Sequence, residues 1–260
     1  MLAGLYVWSA DGFSKIVEEN TTAQLLVADS FLVEDGQAIA LVQHLARFQA
    51  SCHIQAGGFM PDIPAFWAQM CGFIPTEGRW FPRVEMRMAA GLLQFAVRLR
   101  PAPAASTAIK LVLSTEPDPR HYPQIKGPDL AALETWRQAA FAQGGNEATL
   151  CSQTGIVLEG LTTSLVWWEG ETLCFPSAHL PTLPSITRDV VGAIAQELNI
   201  PIVYRHLAQE HLHSVPVWAL NALHGIRPVV QLVGHHHVMP QHPELALWRH
   251  YYKQRRRMIK

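Results

Sequence analysis

The stretch that decides the fold runs from residue 145 to residue 165 and reads GNEATLCSQTGIVLEGLTTSL. Two short apolar runs lie on either side of a Thr-Gly turn at 154–155, and this pattern predicts two neighbouring strands. Glu159 ends the second run. A carboxylate at the end of an apolar strand is either a surface cap or a functional group held at the end of a sheet. The stretch therefore predicts a sheet with a candidate functional carboxylate.

Strand and helix signals alternate on both sides of this stretch. Before it, Asp129 is positioned to cap a helix that ends at Gly144-Gly145. After it, a helix is predicted over Thr187–Leu198 and a last helix with a basic tail over Pro243–Lys260. The further strands predicted are Ser164–Trp168, Thr172–Phe175, Ile200–Tyr204, Val217–Asn221 and Arg227–Val233.

The N-terminal half is predicted to be a separate α+β unit. An apolar run over Gln24–Val33 ends in the turn pair Asp35-Gly36, which indicates a hairpin. Apolar residues recur at three- and four-residue spacing over Ala38–Cys52 and predict an amphipathic helix that Gly57-Gly58 ends. The other elements predicted are a helix opening at Pro61-Asp62 and strands over Trp80–Arg87, Leu92–Arg100 and Ile109–Ser114.

A run punctuated by prolines separates the two halves. We predict an N-terminal α+β domain over 1–115, a connection over 116–127 and a larger C-terminal domain over 128–260. A chain of 260 residues is long enough for two such domains without disulfides.

Composition excludes several classes of protein. With 49% hydrophobic and 16% charged residues, the chain has enough apolar surface to fold, so disorder is excluded. The charges, 20 basic against 21 acidic residues, do not suggest a nucleic-acid binder. No apolar run reaches the roughly 18 residues that a membrane-spanning helix requires. Four widely spaced cysteines and the lack of an export signal lead us to expect a cytoplasmic protein with free thiols.

Three local features are candidates for chemistry. Lys126 directly precedes a predicted helix, where a lysine is a surface residue, a phosphate contact or a nucleophile that forms a Schiff base. The helix that begins near Ile186 and Thr187 offers free backbone N–H groups, which suit a phosphate. His235-His236-His237 suggests a metal site, but consecutive residues of an extended segment point in alternating directions, so we expect no native metal.

Six pieces of the chain, in order, resemble the class IV aminotransferases. This family of pyridoxal-phosphate (PLP) enzymes includes branched-chain and D-amino-acid aminotransferases and 4-amino-4-deoxychorismate lyases. The pieces are the His-x-x-Arg-Phe motif at 44–48, Lys126, and the stretches 145–150, 155–160, 186–188 and 221–229. The resemblance covers most of the chain. It implies a two-domain fold type IV enzyme, similar to D-amino-acid aminotransferase, with a barrel-like mixed sheet in the larger domain.

The resemblance also implies roles for individual residues. Lys126 would bind PLP covalently and then serve as the base and acid of the reaction. Glu159 would hydrogen-bond the pyridine nitrogen and keep it protonated. The cofactor phosphate would be bound by Arg47 and by the backbone N–H groups of Ile186 and Thr187 together with the Thr187 hydroxyl. The turn formed by Asn221, Ala222 and Leu223 would lie on the phosphate-binding or the substrate-binding side of the cofactor site.

Within the family, the last motif favours the lyase. Asn221-Ala222-Leu223, followed by Gly225-Ile226-Arg227-Pro228-Val229, is similar to the lyase pattern, whereas aminotransferases usually carry hydroxyl-rich turns there. The lyase forms 4-aminobenzoate and pyruvate, which would make this chain an enzyme of folate precursor synthesis. Ser30 and Arg98 are candidate contacts for a small-molecule amino substrate.

Two other readings remain open on the sequence alone. In the first, the chain is an aminotransferase of the same fold that is specific for branched-chain or D-amino acids. In the second, the chain is a non-catalytic relative that keeps the fold. The resemblance further implies a homodimer.

Overall fold

The fold is described from a computed structural model, which defines residues 3–16, 23–57, 62–236 and 238–260. Gly58, Pro61 and His237, which figured in the sequence predictions, lie outside the described residues. The chain forms two compact units. The first comprises Met1–Ala104, Ile125–Pro128 and Arg255–Lys260, and the second comprises Ala105–Gln124 and Asp129–Gln254. The content is mixed α and β, so the predicted α+β class is confirmed.

The strands in chain order are β1 (Gly4–Ser9), β2 (Gly12–Ile16), β3 (Gln24–Ser30), β4 (Val33–Glu34), β5 (Gln37–Ile39), β6 (Arg79–Trp80), β7 (Arg83–Ala89), β8 (Leu92–Leu99), β9 (Ile109–Val112), β10 (Glu147–Cys151), β11 (Val157–Gly160), β12 (Ser164–Glu169), β13 (Thr172–Pro176), β14 (Ile202–Arg205), β15 (Val217–Asn221), β16 (Gly225–Leu232) and β17 (Arg256–Met258). The helices are α1 (Leu41–Ala56), α2 (Ile63–Phe73), α3 (Leu130–Ala142), α4 (Ile186–Glu197) and α5 (Leu245–Lys253).

The described residues of the first unit form two sheets and two helices. Its five-stranded antiparallel sheet has the order β2-β1-β8-β7-β3, and its four-stranded sheet has the order β17-β5-β4-β6. Helix α1 ends at Gly57, which adopts the left-handed conformation with φ of 60° that favours glycine. The buried positions of α1 recur at helical spacing and include His44 and Phe48, so this face packs against β3.

The second unit is built on an eight-stranded mixed sheet. Its order is β11-β10-β9-β16-β15-β12-β13-β14, with parallel pairing of β9 to both β10 and β16 and of β13 to β14. The sheet curls into a half-barrel, as the resemblance implied. One buried face carries an apolar core that includes Leu165, Ala219 and Val229. No helix of the described residues is long and apolar enough to cross a membrane.

The structure corrects three local predictions. The chain does not continue as a helix to Lys260, because α5 ends at Lys253 and β17 pairs with β5. Asp129 precedes α3 but does not cap it, since its carboxylate accepts hydrogen bonds from the backbone N–H groups of His121 and Tyr122. The strand predicted over 80–87 is two strands, β6 and β7, in different sheets.

The two units are not consecutive blocks of sequence. The predicted boundaries, 1–115, 116–127 and 128–260, differ from the observed division, which assigns residues 116–124 of the predicted connection to the second unit and 125–127 to the first. Strand β9 belongs to the second unit because it pairs with β10 and β16, and the last six residues return to the first unit.

Candidate active site

Lys126 is held in the first unit by its own backbone. The segment Ile125–Pro128 lies against β3, where the Ala28 N–H donates to the Lys126 carbonyl oxygen at 2.6 Å. Gly127 follows with φ of 140°, and a Cβ there would lie 2.9 Å from the Ala28 nitrogen and the Val27 Cα. Only glycine permits this close approach of two backbones. The position of Lys126 is therefore set by β3.

Arg47 lies in the first unit and faces a buried aspartate. Its Nε and Nη2 donate to Asp29 Oδ2 and Oδ1 at 2.9 and 2.8 Å. His44 Nδ1 lies 2.7 Å from the same Oδ1. Although burial opposes ionisation, the neighbouring Arg47 and His44 hold the pKa of Asp29 well below its usual range. The sequence predictions did not include Asp29, whose partners are 15 and 18 residues away. The pairing orients Arg47, and its contact with a phosphate stays a prediction.

Glu159 lies at the end of β11 in the second unit, and Arg120 holds it there. Its Oε1 accepts from Arg120 Nη1 at 2.8 Å and from the Leu183 backbone N–H at 2.9 Å. Arg120 also clamps Asp118, with Nη2 2.7 Å from Oδ2. Within the described ranges, both hydrogen bonds to Glu159 end on Oε1, which leaves Oε2 as the acceptor for a further donor.

Burial and the arginine act on Glu159 in opposite directions. Burial raises the pKa of the Glu159 carboxyl, and the ion pair with Arg120 opposes that rise. The same pairing, with both Asp118 and Glu159, raises the pKa of Arg120. Sequence reasoning missed Arg120. The available signal was a lone arginine six residues before Lys126, beside Asp118 in a proline-punctuated run.

The N-terminus of α4 offers free backbone donors. Ser185 caps the helix, with Oγ accepting from the Arg188 N–H at 3.3 Å, and its carbonyl accepts from Asp189. In the part of the chain that the structure describes, the N–H groups of Ile186 and Thr187 and the Thr187 hydroxyl have no hydrogen-bond partner, and both residues are buried. A helix N-terminus with unbonded N–H groups fits an anionic oxygen cluster such as a phosphate.

The turn between β15 and β16 is locked by its own side chains. Asn221 Oδ1 accepts from the His224 N–H at 2.9 Å, and Asn221 Nδ2 donates to the Thr162 carbonyl at 3.4 Å. Gly225 has φ of 67°, and a Cβ there would lie 2.8 Å from the Tyr252 ring. Because the Asn221 amide is used within the protein, and Ala222 and Leu223 carry no polar side chain, the turn presents backbone groups.

Ser30 and Arg98 lie in one row across the five-stranded sheet. Ser30 pairs with Arg83 on β7, and Arg83 pairs with Arg98 on β8. Glu85 Oε1 accepts from Arg83 Nη2 at 2.7 Å and from Arg98 Nε at 3.2 Å. Two guanidinium groups thus share one carboxylate beside Ser30, which gives this row a net positive charge.

The described residues contain no group of three or more His, Cys, Asp or Glu side chains that could hold a metal ion. His235 and His236 are exposed, and His237 lies outside the described residues.

The predicted site residues divide between the two units. The first unit contains Lys126, Arg47, Ser30 and Arg98. The second unit brings the others into one neighbourhood through short links. Glu159 contacts Leu183, which lies three residues before Ile186, and Asn221 contacts Thr162, which lies three residues after Glu159.

Comparisons with known proteins identify the family and the fold. The family model for class IV amino-transferases matches residues 26–232. Similar solved structures include a PLP-bound hypothetical aminotransferase from Mycobacterium tuberculosis, with a TM-score of 0.81 and 18% identity over 97% of this chain and 98% of that chain. The Thermoproteus uzoniensis branched-chain aminotransferase has a TM-score of 0.81 and 17% identity over 96% of this chain and 93% of that chain.

A third structure, a candidate 4-amino-4-deoxychorismate lyase from Legionella pneumophila, has a TM-score of 0.77 and 16% identity over 88% of this chain and 90% of that chain. No curated protein matches the chain. At these identities the structural likeness establishes the fold. The family match covers most of the sequence, and the chain belongs to the class IV aminotransferases.

Proposed function

We propose that this chain is a PLP-dependent lyase that converts 4-amino-4-deoxychorismate into 4-aminobenzoate and pyruvate. The observation that carries the proposal is the turn at 221–223. Its one amide side chain is bonded to Thr162 and His224, so the turn offers a ligand no side-chain hydroxyl or amide. This is the feature that separates the lyase pattern from the hydroxyl-rich turn of the aminotransferases.

The second unit contains a donor set that fits the cofactor. The unbonded N–H groups of Ile186 and Thr187, with the Thr187 hydroxyl, suit its phosphate. Glu159 Oε2 suits a protonated pyridine nitrogen. Arg47 and the turn formed by Asn221, Ala222 and Leu223 are the further phosphate contacts that the resemblance assigns. When bound, PLP supplies an electron sink for the pair left by proton removal.

Lys126 is the residue that moves the proton. Its amine, freed when the substrate amine takes its place, removes the proton from the ring carbon that bears nitrogen. The ether bond on the adjacent carbon then breaks and the ring becomes aromatic. Lys126 returns the proton to the departing three-carbon fragment, which leaves as pyruvate. Positioned proton transfer of this kind contributes about 10²- to 10⁴-fold to a rate.

Glu159 has an electrostatic role in the proposed site. An ionised carboxylate is required beside a pyridine nitrogen that must stay protonated. Burial alone raises the pKa of Glu159, and the guanidinium of Arg120 at 2.8 Å favours the ionised form. Arg120 is thus a positioning residue that holds both the charge and the orientation of Glu159.

The substrate is a small amine that carries carboxylates. The row formed by Ser30, Arg83 and Arg98 has two guanidinium groups for one Glu85 carboxylate, and this excess of positive charge suits an anionic substrate. We expect a homodimer, as the resemblance implies, and a cytoplasmic location, as the widely spaced cysteines suggest.

The test is a product balance without a second substrate. PLP-loaded protein is incubated with 4-amino-4-deoxychorismate in the absence of any keto acid, and 4-aminobenzoate and pyruvate are quantified. Equal amounts over many turnovers support the lyase. If no product forms, and an L- or D-amino acid instead converts the cofactor to its amine form, the enzyme is an aminotransferase and the proposal is wrong.

A further inference from the structure

Arg227 is a buried cation in the second unit. It is 5% exposed and pairs with Ala219 across β15 and β16. Side chains alternate along a strand and cross-strand partners share a face, so Arg227 lies on the same face as Ala219 and Val229. Both of these residues belong to the buried core of the sheet. The guanidinium is therefore directed to the buried face.

The chain supplies this cation with no direct partner. Among the described residues, the Arg227 side chain makes no hydrogen bond and no ion pair, and its Nε is buried without a partner. Burial lowers its pKa to about 10, with Glu147 opposing and Arg249 reinforcing the shift. A buried charge without a counterion is costly, so such groups are normally paired.

Glu147 is not the missing partner. Its Oε2 accepts from the Thr162 hydroxyl at 2.7 Å and from the Thr162 N–H at 3.2 Å, and its Oε1 accepts from the Ala148 N–H at 3.1 Å. Burial also raises the pKa of Glu147, which weakens it as a counterion. We therefore infer that the counterion of Arg227 belongs to a bound ligand.

The position of Arg227 indicates which ligand group it meets. It lies two residues beyond Gly225, in the hairpin whose end pairs Asn221 with Gly225. The proposed phosphate site has its own donors at Ile186 and Thr187. We propose that Arg227 binds a carboxylate of the organic substrate and thereby contributes to substrate specificity. This inference rests on the proposed function.

The guanidinium of Arg227 and a substrate carboxylate are chemically complementary. A guanidinium is a planar fork that binds a carboxylate through two parallel hydrogen bonds. Such a contact, when buried, contributes about 10- to 100-fold to affinity. The aromatic product 4-aminobenzoate retains the ring carboxylate, and 4-aminobenzamide has nearly the same shape without the charge. The pair therefore isolates the contribution of the carboxylate.

The experiment measures binding of both compounds to the PLP-loaded protein by calorimetry. In Arg227→Met we expect 4-aminobenzoate to bind about 10- to 100-fold more weakly and 4-aminobenzamide to bind within about twofold of the wild type. Arg205→Met, which removes an exposed arginine of the same unit, is the control and should bind as the wild type does. Unchanged 4-aminobenzoate affinity in Arg227→Met, or loss in Arg98→Met alone, overturns the proposal.

Two further measurements keep the outcomes separable. Removal of an uncompensated buried charge should leave the melting temperature of the cofactor-free protein unchanged or higher, and Arg227→Lys should bind with intermediate affinity. A large loss of stability with unchanged affinities contradicts the proposal. If the wild type does not bind 4-aminobenzoate, 2-oxoglutarate is the probe. Weaker 2-oxoglutarate binding in Arg227→Met then supports the carboxylate contact of Arg227, although the proposed lyase function is wrong. Unchanged 2-oxoglutarate binding overturns both the carboxylate contact and the lyase function.

Discussion

At the scale of single residues, the site depends on charges that are paired inside the protein. Asp118, Arg120 and Glu159 form one chain of contacts in the second unit, and Asp29, Arg47 and His44 form another in the first. In each case an arginine opposes the tendency of burial to neutralise a carboxylate. Both networks require an ionised carboxylate, but one is measured by turnover and the other by unfolding, which allows them to be tested separately.

Arg120→Met should shift the pH dependence of turnover. Without the guanidinium, the main opposition to the rise in the pKa of Glu159 caused by burial is lost, so the ionised carboxylate is less favoured. We expect turnover at pH 7 to fall by about 10²-fold and to recover partly as the pH rises, because the ionised form is the active one. Arg120→Lys should recover part of the activity, and Arg205→Met should not change the profile. A uniform loss at every pH would indicate a purely structural role.

Asp29→Asn should destabilise the first unit and remove part of its acid sensitivity. The native pKa of Asp29 is depressed, so its contribution is present above the unfolded value near 3.9 and is lost as the pH falls below it. Breaking a buried ion pair costs about 3–5 kcal/mol. Urea unfolding at pH 7 and at about pH 2.5, well below the unfolded value, measures both effects. An equal loss of stability at the two pH values would contradict the assignment.

The site residues that sequence reasoning predicted are those that have local signals. Lys126 precedes a helix and Glu159 ends an apolar run, and both positions match family motifs. Asp29 and Arg120 were missed because their partners lie 18 and 39 residues away, and no local pattern reports such a pairing.

At the scale of elements, the helices and central strands were predicted well because their hydrophobic periodicity reflects burial. Strand β15 was predicted with its observed bounds, and α1 and α4 differ from their predictions only at the ends. The hairpin of β1 and β2 was not predicted, since its two strands are short and only partly buried. Asp129 was assigned to a cap on local grounds, whereas two backbone N–H groups of the preceding loop bind its carboxylate.

Gly127→Ala tests how β3 positions Lys126. The added Cβ would lie 2.9 Å from the backbone of β3, so the segment carrying Lys126 must move away. A displacement of about 1 Å at a reacting group costs about 100-fold in rate. The control is Gly170→Ala, where φ is also positive but no atom lies within 4 Å. We expect a small loss of stability and full activity in the control. Full activity in Gly127→Ala would show that this contact does not position the lysine.

At the scale of the whole molecule, the chain crosses between its units four times. The first unit takes up Ile125–Pro128 and Arg255–Lys260. Sequence reasoning assumed domains that are continuous in the chain. Local periodicity does not indicate which later segments rejoin the first unit. The observed division places Lys126 and Glu159 on different units although they are only 33 residues apart.

Deletion of 255–260 should destabilise the first unit selectively. Strand β17 pairs with β5, Arg256 forms an ion pair with Glu34, and Ile259 is buried in the first core. Loss of Ile259 burial alone costs about 1.5–3 kcal/mol. Hydrogen exchange should accelerate at β5 and remain unchanged at β15, and deletion of the exposed Lys260 alone should change neither. Equal acceleration in both strands would contradict the division into units.

The central claim is that Lys126 carries the cofactor and moves the proton. The most direct measurement is borohydride reduction of the PLP-loaded protein, followed by digestion and mass spectrometry. We expect cofactor on the peptide that contains Lys126, none on that peptide in Lys126→Ala, and turnover lowered at least about 10³-fold in that folded variant. Lys110→Ala, which alters an exposed lysine, should keep both label and activity. Label on another lysine, or turnover retained by Lys126→Ala, would contradict the mechanism.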